Sequence, residues 1–196
     1  MKRFVFALTI AMVVTVVAGP APAQAQLKFN PNQVAILRWY QANQTAFFIL
    51  VGAPFGVAFD GASIWVANAG DNTVSKLRAS DGKTLGTFNV GSGPVAVVFD
   101  GANIWVANNN GNNVTKLSRT GMTVGTFAVG ANPHAVAFDG VNIWVANEGS
   151  DTVTKLRPSE GAVLGSFNVG HQPESLAFDG ANIWVANANG NTISKL

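Results

Sequence analysis

The chain has 196 residues, with 12 Lys and Arg against 10 Asp and Glu, and no cysteine. Charged residues make up 11 % of it, well below the usual level of about a quarter. These figures exclude disulfides, thiol chemistry and a lipid-modified amino-terminal cysteine, and they leave no basic surplus of the kind that binds nucleic acid.

Residues 1–25 read as a secretory signal peptide. Lys2 and Arg3 form a basic start, residues 4–18 are apolar or small, and Ala21-Pro22-Ala23 and Ala23-Gln24-Ala25 are overlapping small-residue cleavage sites. The apolar run is short for a membrane span, although an uncleaved amino-terminal anchor would share the pattern. Cleavage removes Lys2 and Arg3, so ten basic residues face ten acidic ones and the mature chain is formally neutral. The expected location is secreted or periplasmic, with no membrane span after cleavage.

The remaining residues 26–196 are enough for one domain with a core. They open on a partial repeat at 34–52. Val34-Ala35-Ile36-Leu37-Arg38 aligns with residues 74–78, and Ala46-Phe47-Phe48-Ile49-Leu50-Val51-Gly52 aligns with the end of a later repeat. The full repeats begin near residues 54, 94, 133 and 173. Each carries FDGANIWVAN or a near copy, at 59–68, 99–108, 138–147 and 178–187. Trp65, Trp105, Trp144 and Trp184 are therefore spaced by 40, 39 and 40 residues, and a fixed period of that size marks a repeat architecture.

Within the first copy, Val57-Ala58-Phe59 predicts a short apolar strand and Asp60-Gly61 a hairpin turn. Ser63-Ile64-Trp65-Val66-Ala67 predicts a second strand, and residues 68–72 a loop. Thr73-Val74-Ser75-Lys76-Leu77 predicts a third, Asp81-Gly82 another turn, and residues 85–90 a fourth strand of alternating character. The first two strands are apolar on both faces and the last two more polar, which predicts burial falling from strand one to strand four. The expected fold class is all-β: a β-propeller with four antiparallel strands per blade of about 40 residues and about four blades.

The recurring residues read as structure. The tryptophans are expected to pack between blades. Asp60, Asp100, Asp139 and Asp179 precede Gly at turns, where a carboxylate satisfies local backbone donors. Lys76, Lys116, Lys155 and Lys195 recur on strand three and are expected to form a solvated ring of charge. The last repeat stops at Leu196 without a fourth strand. Either the segment around Phe48 completes that blade and closes a four-bladed ring, or the chain belongs to a longer propeller of roughly six to eight blades; the abrupt end favours the latter. Two chains assembling through their terminal blades into one ring is a third route.

The stretch IWVANAGDNTVSKLRASDGKTLGTFNVGSGPVAVVFDG resembles the YVTN-type β-propeller repeats of secreted bacterial and surface-layer proteins. The matching elements are the Val-Ala-Asn after an apolar pair, Asn72-Thr73-Val74, and Val90-Gly91 leading to Pro94. The likeness extends to NHL-type propellers and to the streptogramin lyases. That resemblance implies a propeller; the lyases are metal-dependent enzymes that open a cyclic antibiotic with histidine and glutamate on one propeller face. Fold analogy alone does not transfer that activity.

Function in a repeat protein belongs where the copies differ. Phe55, Val95, His134 and Glu174 share one repeat position, just after a proline. The chain's two histidines, His134 and His171, fall in the same loop class of neighbouring blades, beside Glu174. His134, His171 and Glu174 are the candidate catalytic and metal-ligating residues, since such groups bind a divalent metal or transfer protons. They also read as variable polar loop residues, because no H-E-x-x-H spacing accompanies them. The Asn-rich loops such as 108–113 suit left-handed turns, or a polar rim for a glycan or peptide. The leading expectation is a binding or scaffold protein for a protein, peptide or glycan ligand. The alternative is a streptogramin lyase-like enzyme with a divalent metal.

Overall fold

The computed structural model describes Leu50 and residues 52–196. The expected signal peptide and nearly all of the partial repeat 34–52 lie outside the described residues. Fifteen strands follow in order: β1 (Pro54–Phe59), β2 (Ser63–Asn68), β3 (Thr73–Arg78), β4 (Thr84–Asn89), β5 (Pro94–Phe99), β6 (Asn103–Asn108), β7 (Asn113–Ser118), β8 (Thr123–Ala128), β9 (Pro133–Phe138), β10 (Ile143–Asn147), β11 (Thr152–Leu156), β12 (Val163–Asn168), β13 (Pro173–Phe178), β14 (Ile183–Asn187) and β15 (Thr192–Lys195). A single 3₁₀ turn, Glu148–Ser150, is the one helical element among the described residues.

The strands form four antiparallel meanders: β1–β4, β5–β8, β9–β12 and the three-stranded β13–β15. The Asp-Gly signals produce the predicted tight turns. Asp60, Asp100, Asp139 and Asp179 each donate a backbone N–H to the residue three positions on, at 3.0–3.2 Å. The glycine after each aspartate has φ of +90° to +97°, a conformation that glycine adopts without steric cost.

The sheets pack face to face in series. Trp65, Ala67 and Val74 of the first sheet meet Val97, Ile104, Val106 and Leu117 of the second. Trp105, Ala107 and Val114 repeat the contact against Ile143, Val145 and Leu156. Trp144, Ala146 and Val153 repeat it against Ile183 and Val185. The tryptophans are thus inter-sheet packing groups, as the sequence predicts. Trp184, on the last sheet, is 39 % exposed; no further sheet covers it among the described residues.

The burial gradient differs from expectation. In the first three sheets strands two and three are the most buried, while β1, β13 and β15 are largely exposed. Apolar character did not report depth, because β1 and β13 belong to the first and last sheets and each meets another innermost strand, β5 or β9, on one side only. The lysines do not form a uniformly solvated ring: Lys116 is 4 % exposed, Lys76 and Lys155 are half-buried, and Lys195 on the last sheet is exposed. Each lysine is paired across the ladder with the tryptophan of its own sheet. Each Nζ lies 4.6–5.4 Å from that indole centroid, a cation–π distance. Lys76 Nζ donates to the Arg119 carbonyl of the next sheet at 2.7 Å, and Lys116 Nζ to the Pro158 carbonyl. Carbonyl and indole together replace the water an ammonium loses on burial.

Candidate functional site

The loops between strands two and three and those between sheets emerge at the same end and are hydrogen-bonded together. Ala69 and Gly70 donate to the carbonyls of Ala53 and Gly52, and Asn109 to that of Gly93. At this end each innermost strand begins with a proline, which has no N–H to give to a ladder. The register then slips at once: Pro94 faces Asn108 but Ala96 faces Ala107, Pro133 faces Asn147 but Ala135 faces Ala146, and Pro173 faces Asn187 but Ser175 faces Ala186. Val95, His134 and Glu174 are the extra residues of these β-bulges, and the corresponding slip in β1 spans Phe55 and Gly56. A bulge leaves its extra residue unpaired and re-aims the side chain. The candidate position is therefore on strand ends rather than in loops, and a position that differs in every repeat occupies the bulge.

His134 and Glu174 are brought together, through a main-chain atom. His134 Nδ1 lies 3.0 Å from the Glu174 carbonyl oxygen. A carbonyl only accepts, so Nδ1 carries the proton, and in the neutral ring Nε2 is the acceptor. The Phe55 ring meets the His134 ring edge-on at 6.2 Å, 86° between planes. The site thus presents an aromatic edge, an imidazole acceptor and an exposed carboxylate.

His171 goes elsewhere. Its Nδ1 lies 2.9 Å from Asp151 Oδ2, and Asp151 Oδ1 also accepts the Gln172 N–H at 2.8 Å. Among the described residues no three His, Cys, Asp or Glu side chains are grouped to hold a metal ion. The three candidates do not form one ligand set, and no step is assigned to a metal here.

The Asp151 position has its own repeat role. Asn72 Oδ1 accepts from Gly93 N and Asn112 Oδ1 from Asn132 N, at 2.8 and 2.9 Å. All three acceptors have φ between +52° and +57°, which Asn and Asp tolerate best. Each stitches its sheet to the loop entering the next. The Gln172 N–H and the His171 ring hold the Asp151 carboxyl below its ordinary value of 3.8. A lowered folded-state value means stabilisation that is present above the ordinary carboxylate range and lost as pH falls through the lower, folded value. Thermal melts of wild type and Asp151→Asn across pH 2–5 should show it. The asparagine keeps the Gln172 acceptor, as at Asn72 and Asn112, so the variant should lose less melting temperature toward the acid end; equal acid slopes would refute the link.

The turn aspartates do more than satisfy the backbone. Asp60, Asp100, Asp139 and Asp179 each accept the indole N–H five residues on, at 2.6–2.8 Å. For Asp60 and Asp139 burial pushes the carboxyl up, but the indole and two backbone N–H donors outweigh it and hold the value low. For Asp179 the Trp184 indole is the main cause of a lowered value. The constant Asp-to-Trp spacing was the available signal.

No protein-family model matches the chain, and no curated protein sequence does. Solved structures match by fold. A chain of Kuenenia stuttgartiensis hydrazine synthase superposes with a TM-score of 0.67 at 19 % identity, covering 78 % of this chain and 47 % of that one. Virginiamycin B lyase from Staphylococcus aureus gives 0.65 at 20 %, covering 76 % and 53 %. The computationally designed Ika4 protein gives 0.69 at 16 %, covering 79 % and 98 %. With four-stranded meanders stacked face to face, these likenesses decide the fold. The chain has a β-propeller fold. It spans about half the length of the hydrazine synthase and lyase chains. At these identities the likeness concerns architecture, so the propeller's functional groups must be read from its own bulges.

Proposed function

We propose that this propeller is a binding module, with its ligand at the bulge end of the innermost strands. One observation carries the reading: the four equivalent bulge positions hold Phe55, Val95, His134 and Glu174, while the strands around them are near copies. An aromatic edge beside an imidazole acceptor and a carboxylate suits a glycan or peptide, which offers hydroxyl or amide donors next to an apolar face. The repeats are of the YVTN type in this reading, the chain is secreted or periplasmic behind its signal peptide, and self-association through terminal blades is part of it, supported by the exposed Trp184 face.

Binding to immobilised glycan and peptide arrays tests the proposal, comparing wild type with a His134→Val, Glu174→Val double variant. Retention by wild type that falls at least about tenfold in the variant, or about 1.4 kcal/mol, is the expected result. Equal retention would move the site elsewhere. The second reading is a lyase, favoured by the virginiamycin B lyase fold match. Metal-dependent opening of virginiamycin B, lost in the same variant, would replace the binding reading.

A further inference from the structure

We propose that the groove between the second and third sheets, at the Asp-Gly turn end, binds an arginine side chain of a polypeptide partner. It lies at the opposite strand ends from the bulges and stands independently of the function proposed above. The molecule itself supplies the template. Between the first and second sheets, Arg119 fills the equivalent groove. Its Nη2 donates to the Asp60 carbonyl at 3.2 Å, its Nε lies 3.7 Å from Asp60 Oδ2, and its guanidinium stands 5.6 Å from the Phe99 ring centroid.

One interface further on, every part of that receptor recurs except the plug. Asp100 stands for Asp60 and Phe138 for Phe99. Both lysines mark the equivalence of the remaining position, since Lys76 donates to the Arg119 carbonyl and Lys116 to the Pro158 carbonyl. Pro158 thus replaces Arg119, and it carries no cation. The result is a cavity of about 510 Å³ lined by Asp100, Phe138, Val141 and Pro158, among others. Asp60 beneath its arginine is 3 % exposed, whereas Asp100 is half-buried.

The chemistry selects arginine over other cations. Asp100 Oδ2 already accepts the Trp105 indole and Oδ1 two backbone N–H groups. An incoming donor must therefore share a carboxylate edge and a backbone carbonyl while stacking on an aromatic ring. A planar guanidinium does this, and a compact, strongly hydrated ammonium does it poorly. The two cations lining the groove are occupied. Lys116 is tied to the Pro158 and Ser159 carbonyls, and Arg157 pairs with Glu160 at 2.6 Å. The template groove tolerates Lys76 in the same place.

The test follows the Trp105 indole N–H by NMR while the purified chain is titrated with acetyl-Gly-Arg-Gly-amide, with the lysine and citrulline peptides as controls. The expected result is a saturable shift with the arginine peptide, at least about tenfold weaker with either control. Pro158→Arg should supply the plug in cis and abolish the response, leaving Asp100 and the fold intact. Arg119→Ala should open the template groove, so that the Trp65 indole also responds. Equal binding of citrulline, an unchanged response in Pro158→Arg, or a silent Trp65 in Arg119→Ala would each overturn the assignment.

Discussion

Trp105→Ala is expected to cost about 3–5 kcal/mol of folding stability, the usual range for removing a fully buried large aromatic. The side chain is 0 % exposed and packs with Ala107 and Val114 against Ile143, Val145 and Leu156 of the next sheet. Its loss leaves more than a cavity. Asp100 Oδ2 loses its indole donor at 2.7 Å. Lys116, 4 % exposed, loses the ring that faces its ammonium at 5.3 Å. The Phe127 ring, 5.7 Å away, loses its neighbour. Trp184→Ala provides the contrast. The local hydrogen bond and lysine contact are the same, but the ring is 39 % exposed, so transfer and cavity costs are both smaller. Urea unfolding of the two variants, at matched slope, measures the difference. Equal losses would show that stability comes from the Asp–Trp–Lys contacts rather than from inter-sheet packing.

Gly121→Ala is expected to be the second most damaging of the substitutions considered. The glycine has φ of +90°, and a methyl built there would overlap the Phe88 ring of the preceding sheet. Phe88 cannot simply withdraw, because its ring packs on Trp65 at 5.7 Å. The left-handed backbone costs about 1 kcal/mol or more for a non-glycine residue, and overpacking adds about 1–3 kcal/mol. Gly101→Ala separates the two costs. Its φ is +95°, yet nothing lies within 4 Å of the added methyl. A denaturation midpoint falling further for Gly121→Ala than for Gly101→Ala is the expected outcome. Matching midpoints would mean that backbone strain alone accounts for both. Gly161 stands in the same relation to Phe127, so one packing device holds two successive interfaces.

Much of this architecture was legible in the chain, because a repeat multiplies weak local signals. One Asp-Gly or one apolar run predicts little, but four copies at a 39–40 residue spacing make strand, turn, strand the consistent reading, and the sheets follow it nearly residue for residue. The inter-sheet role of Trp65, Trp105 and Trp144 followed from the same periodicity. Position-equivalence of Phe55, Val95, His134 and Glu174 was also readable, since equivalence needs only alignment.

Orientation and partnership needed the tertiary structure. Strands one and two read as apolar on both faces and strand three as more polar, yet strands two and three are the most buried, because burial depends on what packs against a face and not on the face itself. The bulges at Val95, His134 and Glu174 arise from a one-residue slip against the neighbouring strand, and register between strands is not written in either strand alone. His171 and Glu174 are near neighbours in sequence, but the fold gives one to Asp151 and the other's carbonyl to His134. The lysines read as solvated charge because sequence shows a cation and not the indole and carbonyl that receive it. Arg119 and Pro158 look like ordinary turn residues until the sheets are stacked. The repeat, its strands and the positions where copies differ can be read along the chain. Contacts between copies decided the rest, since packing is a property of pairs of surfaces that only the folded chain brings together.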